Sequence, residues 1–100
     1  MPNKAVVFRT DGTKEELGHR PSLKEAQKIV GGYIELVKAS QVKDDDPIPG
    51  SLVTLVVDEE GKVKNKPTNK IITERYGRYV YGGYIVGDVI VLTGWRTVGN

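Results

Sequence analysis

Apolar positions fall along this chain in two rhythms, and each marks a different element. Residues 4–10, Lys-Ala-Val-Val-Phe-Arg-Thr, are rich in β-formers and stop at Asp11-Gly12, a strong turn signal. Residues 13–17 can pair back as a short second strand, which predicts an N-terminal hairpin. Leu23, Ala26, Ile29 and Val30 recur at helical spacing instead, one apolar stripe. Ser22 precedes them as an N-cap, and Glu25 sits three residues later, the spacing of a capping box. The principal helix is therefore expected over residues 22–30. Gly31-Gly32 come next. Two glycines inside a helix cost together about 2 kcal/mol relative to alanine, whereas a glycine just past the last turn is the favoured left-handed cap. Residues 33–37, Tyr-Ile-Glu-Leu-Val, are aromatic and β-branched, so the pattern predicts a helix stop and then a strand. Tyr33, Ile34 and Val37 also continue the helical stripe, and an unbroken helix to residue 38 is the alternative.

Residues 40–51 hold two prolines, a glycine and three aspartates, and read as a loop. Residues 52–57 are continuously apolar except for Thr54, as a central strand would be. Residues 58–61, Asp-Glu-Glu-Gly, form a turn, and Lys62 to Lys64 are expected to return as a short strand. Residues 67–75 start with Pro67 and suggest a short helix, against their β-branched content. Residues 76–81 alternate tyrosine with other residues and read as a strand or an ordered loop. Gly-Gly-Tyr-Ile occurs at residues 31–34 and again at 82–85. We read it as one device used twice: glycines redirect the chain and Tyr-Ile starts a strand. Chance recurrence is the alternative, since no wider repeat surrounds it. Residues 89–92, Val-Ile-Val-Leu, are a strand. The sum is an α+β domain, a mostly antiparallel sheet of four or five strands with one principal helix on a face, and the chain's 100 residues make one domain.

Composition narrows the classes of function. The apolar fraction is 38%, and the 12 glycines bring it to the globular average, so the chain is not of disordered type. A net charge of +2 is too small to argue for nucleic acid by itself. With no cysteine there is neither a disulfide framework nor thiolate chemistry. No apolar run approaches the ~20 residues of a membrane span, and the first residues lack the features of a secretory signal. A soluble, cytoplasmic protein is the expectation, with no membrane partner.

The candidate chemistry is mostly negative. Asp44-Asp45-Asp46 lacks the alternate spacing and following glycine of a calcium loop. Asp58, Glu59 and Glu60 are consecutive on a turn and point apart, so no metal site is assigned. His19 has neither a second histidine nor a cysteine beside it, and no cofactor or catalytic residue is nominated. Gly82-Gly83 with Gly87 lacks the lysine and hydroxyl residue of a phosphate loop. The strongest constellation is basic and aromatic. Lys62, Lys64, Lys66, Lys70, Arg75 and Arg78 fall within seventeen residues that hold one acid, Glu74. Tyr76, Tyr79, Tyr81 and Tyr84 follow. Cations for phosphate and rings for bases suit nucleic acid or a nucleotide, while lysines in turns and tyrosines in strands are equally ordinary packing devices. Lys64, Lys70, Arg75, Tyr76, Arg78 and Tyr79 are the binding residues to test first. Tyr33 and Glu35 share a face if both lie on a strand, and Tyr33 is expected in the core.

The order of these words resembles a family of small phage and mobile-element proteins catalogued as a domain of unknown function. Its pattern maps onto Val30 to Glu35, Asp58 to Lys62, Pro67 to Asn69 and Gly87 to Val91, and covers about residues 22–92. Asp58 stands where the family more often has asparagine. The resemblance implies an α+β fold and a viral or prophage origin, and it transfers no activity. The reading is a small phage-type accessory protein, non-enzymatic, binding a host protein or another host macromolecule, or a nucleotide-like ligand. Sequence-tolerant nucleic-acid binding through the same surface is the alternative. A small phosphodiesterase-type enzyme is a third class, opposed by the lack of a paired histidine or a carboxylate dyad. The sequence says nothing of oligomeric state.

Overall fold

A computed structural model of the chain describes residues 3–40 and 52–99. Strands β1 (Lys4–Phe8) and β2 (Lys14–Leu17) form the expected hairpin, with Phe8 opposite Lys14 and Ala5 opposite Leu17. Helix α1 (Leu23–Val30) is followed by strands β3 (Ile34–Ser40) and β4 (Leu52–Asp58), then helix α2 (Lys70–Tyr76) and strand β5 (Val89–Thr93). The five strands make one sheet in the order β2-β1-β5-β4-β3, every neighbouring pair antiparallel. This is the α+β fold the pattern predicts.

The sheet is covered on both sides, which explains why β4 and β5 are apolar without alternation. On one face Ala26 and Val30 of α1 pack over Ala5, Val7, Val56, Ile90 and Leu92. On the other, Ile72 and Tyr76 of α2 meet Phe8, Val53, Leu55, Val57, Val89 and Val91. The short helix expected after Pro67 is thus a second lid, and its N-cap is Asn69, whose side chain accepts from the Ile72 N–H at 3.2 Å.

Helix α1 starts and stops as read. The Ser22 hydroxyl accepts from the Glu25 N–H at 3.1 Å. The Glu25 carboxylate does not close the capping box but meets His19 Nε2 at 2.8 Å. At the other end Gly31 takes φ 84° and its N–H reaches the Gln27 carbonyl at 2.8 Å. The unbroken-helix alternative is excluded.

Three expectations are corrected. Lys62 to Lys64 are not a strand: residues 59–65 are a turn, with the Lys64 N–H on the Glu60 carbonyl and Asn65 at φ 58°. The second Gly-Gly-Tyr-Ile starts no strand. Tyr76 ends α2, two 3-10 turns follow (Gly77–Tyr79 and Tyr81–Gly83), and Ile85 and Val86 enter the core, with Val86 bridging only Thr68. Tyr33 is 69% exposed, outside the core, because it stands in the turn before β3 opens at Ile34. Of the loop expected at residues 40–51, Ser40 instead ends β3, paired with Leu52, and the remainder, with its three aspartates, lies outside the described residues. Among the described residues no helix is long and apolar enough to cross a membrane.

Candidate functional site

The motif words of the chain lie at one end of the sheet, and two of them, the glycine cap of α1 and the acidic turn, are joined through Asp58 and its lysines. Asp58 ends β4 with its side chain 1% exposed. Its Oδ2 receives Lys64 Nζ at 2.8 Å and Lys66 Nζ at 2.6 Å, and its Oδ1 receives the Glu60 N–H at 2.8 Å. Burial would raise the carboxyl, but these three donors outweigh it and lower the pKa from 3.8 to about 2. The same ammoniums continue to the end of α1: Lys66 donates to the Val30 carbonyl at 2.5 Å and Lys64 to the Gly31 carbonyl at 3.2 Å. Carbonyls at a helix C-terminus lack intrahelical donors and carry partial negative charge, so lysines are suited to them. The glycine cap of α1 and the acidic turn are therefore two halves of one cluster.

The Pro-x-Asn and Gly-Asp words have a similar task. Asn69 Nδ2 donates to the carbonyls of Phe8 at 2.9 Å and Gly87 at 3.0 Å, while its oxygen caps α2. Asp88 accepts from the Thr10 N–H at 3.0 Å and from Arg9 at 3.1 Å. These residues tie β1, α2 and the turn before β5 together.

The predicted binding residues are spread by this arrangement. Lys64 is engaged with Asp58 and Gly31. Tyr76 is 2% exposed, a core ring. Arg75 lies over the Phe8 ring, 5.8 Å from its centroid, and Lys70 is exposed at the first turn of α2. Arg78 and Tyr79 are neighbours in space as well as sequence, the guanidinium 5.2 Å from the ring centroid. A hydrogen bond with Ser40, and then one with Arg78, holds the Tyr79 phenol below its ordinary pKa. Of the six, Tyr79 alone lines the concave site at this end of the sheet.

That site is a cleft of about 340 Å³, open between the β3–β4 edge of the sheet, the turn after β4 and the two 3-10 turns. Val57, Val80, Ile85 and Val86 floor it, and Tyr79, Tyr81 and Tyr84 stand around it. The volume lies within the ordinary range for ligand pockets. Tyr81 is 96% exposed and Val63 on the opposite turn 83%, so two large apolar groups are left in water at one mouth. Lys62 bridges the rim: its ammonium donates to the Tyr81 carbonyl at 2.6 Å and sits 4.0 Å from the Tyr84 ring centroid. Glu35 from β3 and Glu59 from the turn add carboxylates to the wall. Lys62, Tyr81 and Tyr84 belong to the basic and aromatic constellation expected from the sequence, outside the six residues chosen from it, whereas Glu35 and Glu59 were not joined to it. The available signal was the tyrosine spacing across glycines: Gly82 and Gly83 take φ 85° and 79°, which turns Tyr81 and Tyr84 out around a bend. Among the described residues no group of three or more His, Cys, Asp or Glu is placed to hold a metal.

Fold and cleft together define a small α+β module with a tyrosine-rimmed cleft at one end of its sheet. The family model described as "Domain of unknown function (DUF3846)" matches residues 3–98, and the chain belongs to that family. A search of curated proteins and a search of solved structures each found no match.

Proposed function

We propose that the chain is a non-enzymatic binding module that holds a host protein at the tyrosine-rimmed cleft. The observation that carries this is the exposure of Tyr81 and Val63 at the mouth of a concave site. A folded chain gains by burying such groups, and exposed aromatics beside a pocket are the usual anchors of protein interfaces. A nucleotide-like ligand or a nucleic acid fits less well. The ammoniums of Lys62, Lys64 and Lys66 are already engaged by carbonyls and Asp58, and two carboxylates face the cleft. The phage-type origin implied by the family resemblance, and the cytoplasmic setting expected from the sequence, belong to this proposal.

The test is comparative capture from host lysate with the immobilised chain and with a Tyr81→Ala/Val63→Asp variant. Both positions are exposed, so the variant keeps its melting temperature. Retention of a partner by the native chain and its loss by the variant is the expected result. Equal capture by both, or a rise in melting temperature with a nucleotide and no captured protein, would overturn the reading.

A further inference from the structure

We infer that the cleft is a receptor for a cationic side chain, an arginine or lysine of the protein partner, and that Lys62 is an internal occupant displaced when it binds. The inference rests on the cleft being the binding site and adds the chemistry of what enters it.

Lys62 supplies the first argument. Its ammonium, 2.6 Å from the Tyr81 carbonyl oxygen and 4.0 Å from the Tyr84 centroid, has a carbonyl acceptor on one side and a π-face on another. That is the environment in which proteins receive ammonium and guanidinium groups. The chain itself thus demonstrates that a cation is accommodated there. Lys62 is exposed and projects from a turn, so it can swing into water without unpairing a buried group. Lys64 and Lys66 cannot do so, because the buried Asp58 depends on them.

Charge supplies the second argument. Glu35, Asp58 and Glu59 border the cleft, but the Asp58 carboxylate is buried and neutralised by its two lysines. Glu35 and Glu59 have no ion-pair partner among the described residues. Two carboxylates then face one ammonium, and the tyrosines present neutral, electron-rich faces. Arg78 stacks on Tyr79 but is not among the residues lining the cleft. A phosphate would meet like charge here, whereas a guanidinium would find rings to stack on and carboxylates to pair with.

Ring signals of Tyr79, Tyr81 and Tyr84, followed by NMR, test this with three probes: N-acetyl-arginine methylamide, its neutral isostere N-acetyl-citrulline methylamide, and adenosine monophosphate. The arginine probe should shift the rings and bind at least about tenfold tighter than the citrulline probe, the size of a desolvated cation–π contact with an adjacent carboxylate. Lys62→Met should tighten the arginine probe about fivefold by removing its competitor, and Glu35→Gln/Glu59→Gln should weaken it by a similar factor. Equal binding of arginine and citrulline probes, tighter binding of the nucleotide, or no effect of Lys62→Met would overturn the inference. An inert arginine probe with Tyr81-dependent capture intact sinks the cation chemistry alone; loss of both sinks the binding-site reading beneath it.

Discussion

Asp58→Asn separates charge from shape at the point where α1, β4 and the acidic turn are joined. The amide keeps the volume of the carboxylate and removes the negative charge between Lys64 and Lys66. In the folded chain the Asp58 pKa is lowered from 3.8 to about 2. At ~1.4 kcal/mol per unit of displacement, folding favours the carboxylate over its protonated form by about 2 kcal/mol. Because the folded value is depressed, this contribution is complete above the unfolded value of 3.8 and is lost as pH falls through about 2. Asparagine resembles the protonated acid at every pH. The variant should therefore be about 2 kcal/mol less stable near about pH 7, a fall in Tm on the order of 10 °C for a domain of this size. The gap to the native chain should narrow to about 1 kcal/mol by about pH 2.5. The roughly 3–5 kcal/mol penalty of an orphaned buried ion is not expected, since the side chains of Lys64 and Lys66 are 38% and 23% exposed and can turn to water. Urea unfolding of both proteins at the two pH values decides it. A stability gap that is the same at both, or below about 0.5 kcal/mol at neutral pH, would refute the assignment of Asp58 as a charge-dependent fastening.

Asn69→Ala removes one helix cap and two carbonyl tethers at a buried position, and should cost about 2–4 kcal/mol in urea unfolding; a loss under about 1 kcal/mol would mean the tethers are replaced by water. Gly77→Ala places a methyl against the Gly83 carbonyl, so the two 3-10 turns must shift. It should cost about 1–3 kcal/mol in the same assay, and unchanged tyrosine ring signals would contradict the packing. Ser40→Ala should raise the Tyr79 pKa, because the Ser40 side-chain hydrogen bond favours the phenolate, as read by ultraviolet difference titration at alkaline pH; no upward movement would show that Arg78 and the Ser40 backbone set it without the hydroxyl.

What the sequence disclosed was whatever depends on near neighbours. Ser22 and Gly31 bracket α1 through bonds to residues within four positions, so local pattern suffices to place both caps. Strands β4 and β5 were legible because a strand covered on both faces is apolar throughout. The basic stretch was not legible, because charge along a chain carries no record of its partners. Lys64 and Lys66 read as free cations until Val30, Gly31 and Asp58 come beside them from other elements. Gly-Gly-Tyr-Ile misled for a related reason. After Gly32, Ile34 finds Asp58 of β4 opposite it and a strand propagates. After Gly83, Ile85 and Val86 run beside Thr68 and the Pro67 carbonyl, where no strand waits, and Gly87 turns the chain at φ 78° before β5 can begin. The glycines redirect the chain both times; the backbone that lies alongside decides whether a strand forms.

The fastening and the cleft are not independent. Asp58 points into the protein while Glu59, Lys62 and Val63, on the turn that succeeds it, face the cleft. That turn is held from within by the Asp58–Glu60 bond and by Lys64 and Lys66, whose far anchors are on α1. Loosening Asp58 therefore frees the wall that carries the Lys62 ammonium and the Glu59 carboxylate, although neither side chain is bonded to Asp58. Asp58→Asn should weaken partner capture and the arginine probe as well as stability, whereas Tyr81→Ala should weaken capture and leave stability unchanged. If Asp58→Asn lowers the melting temperature yet binds the probe as the native chain does, the turn is positioned by its own backbone bonds, Lys64 N–H to Glu60 and Lys66 N–H to Gly61, and the coupling fails.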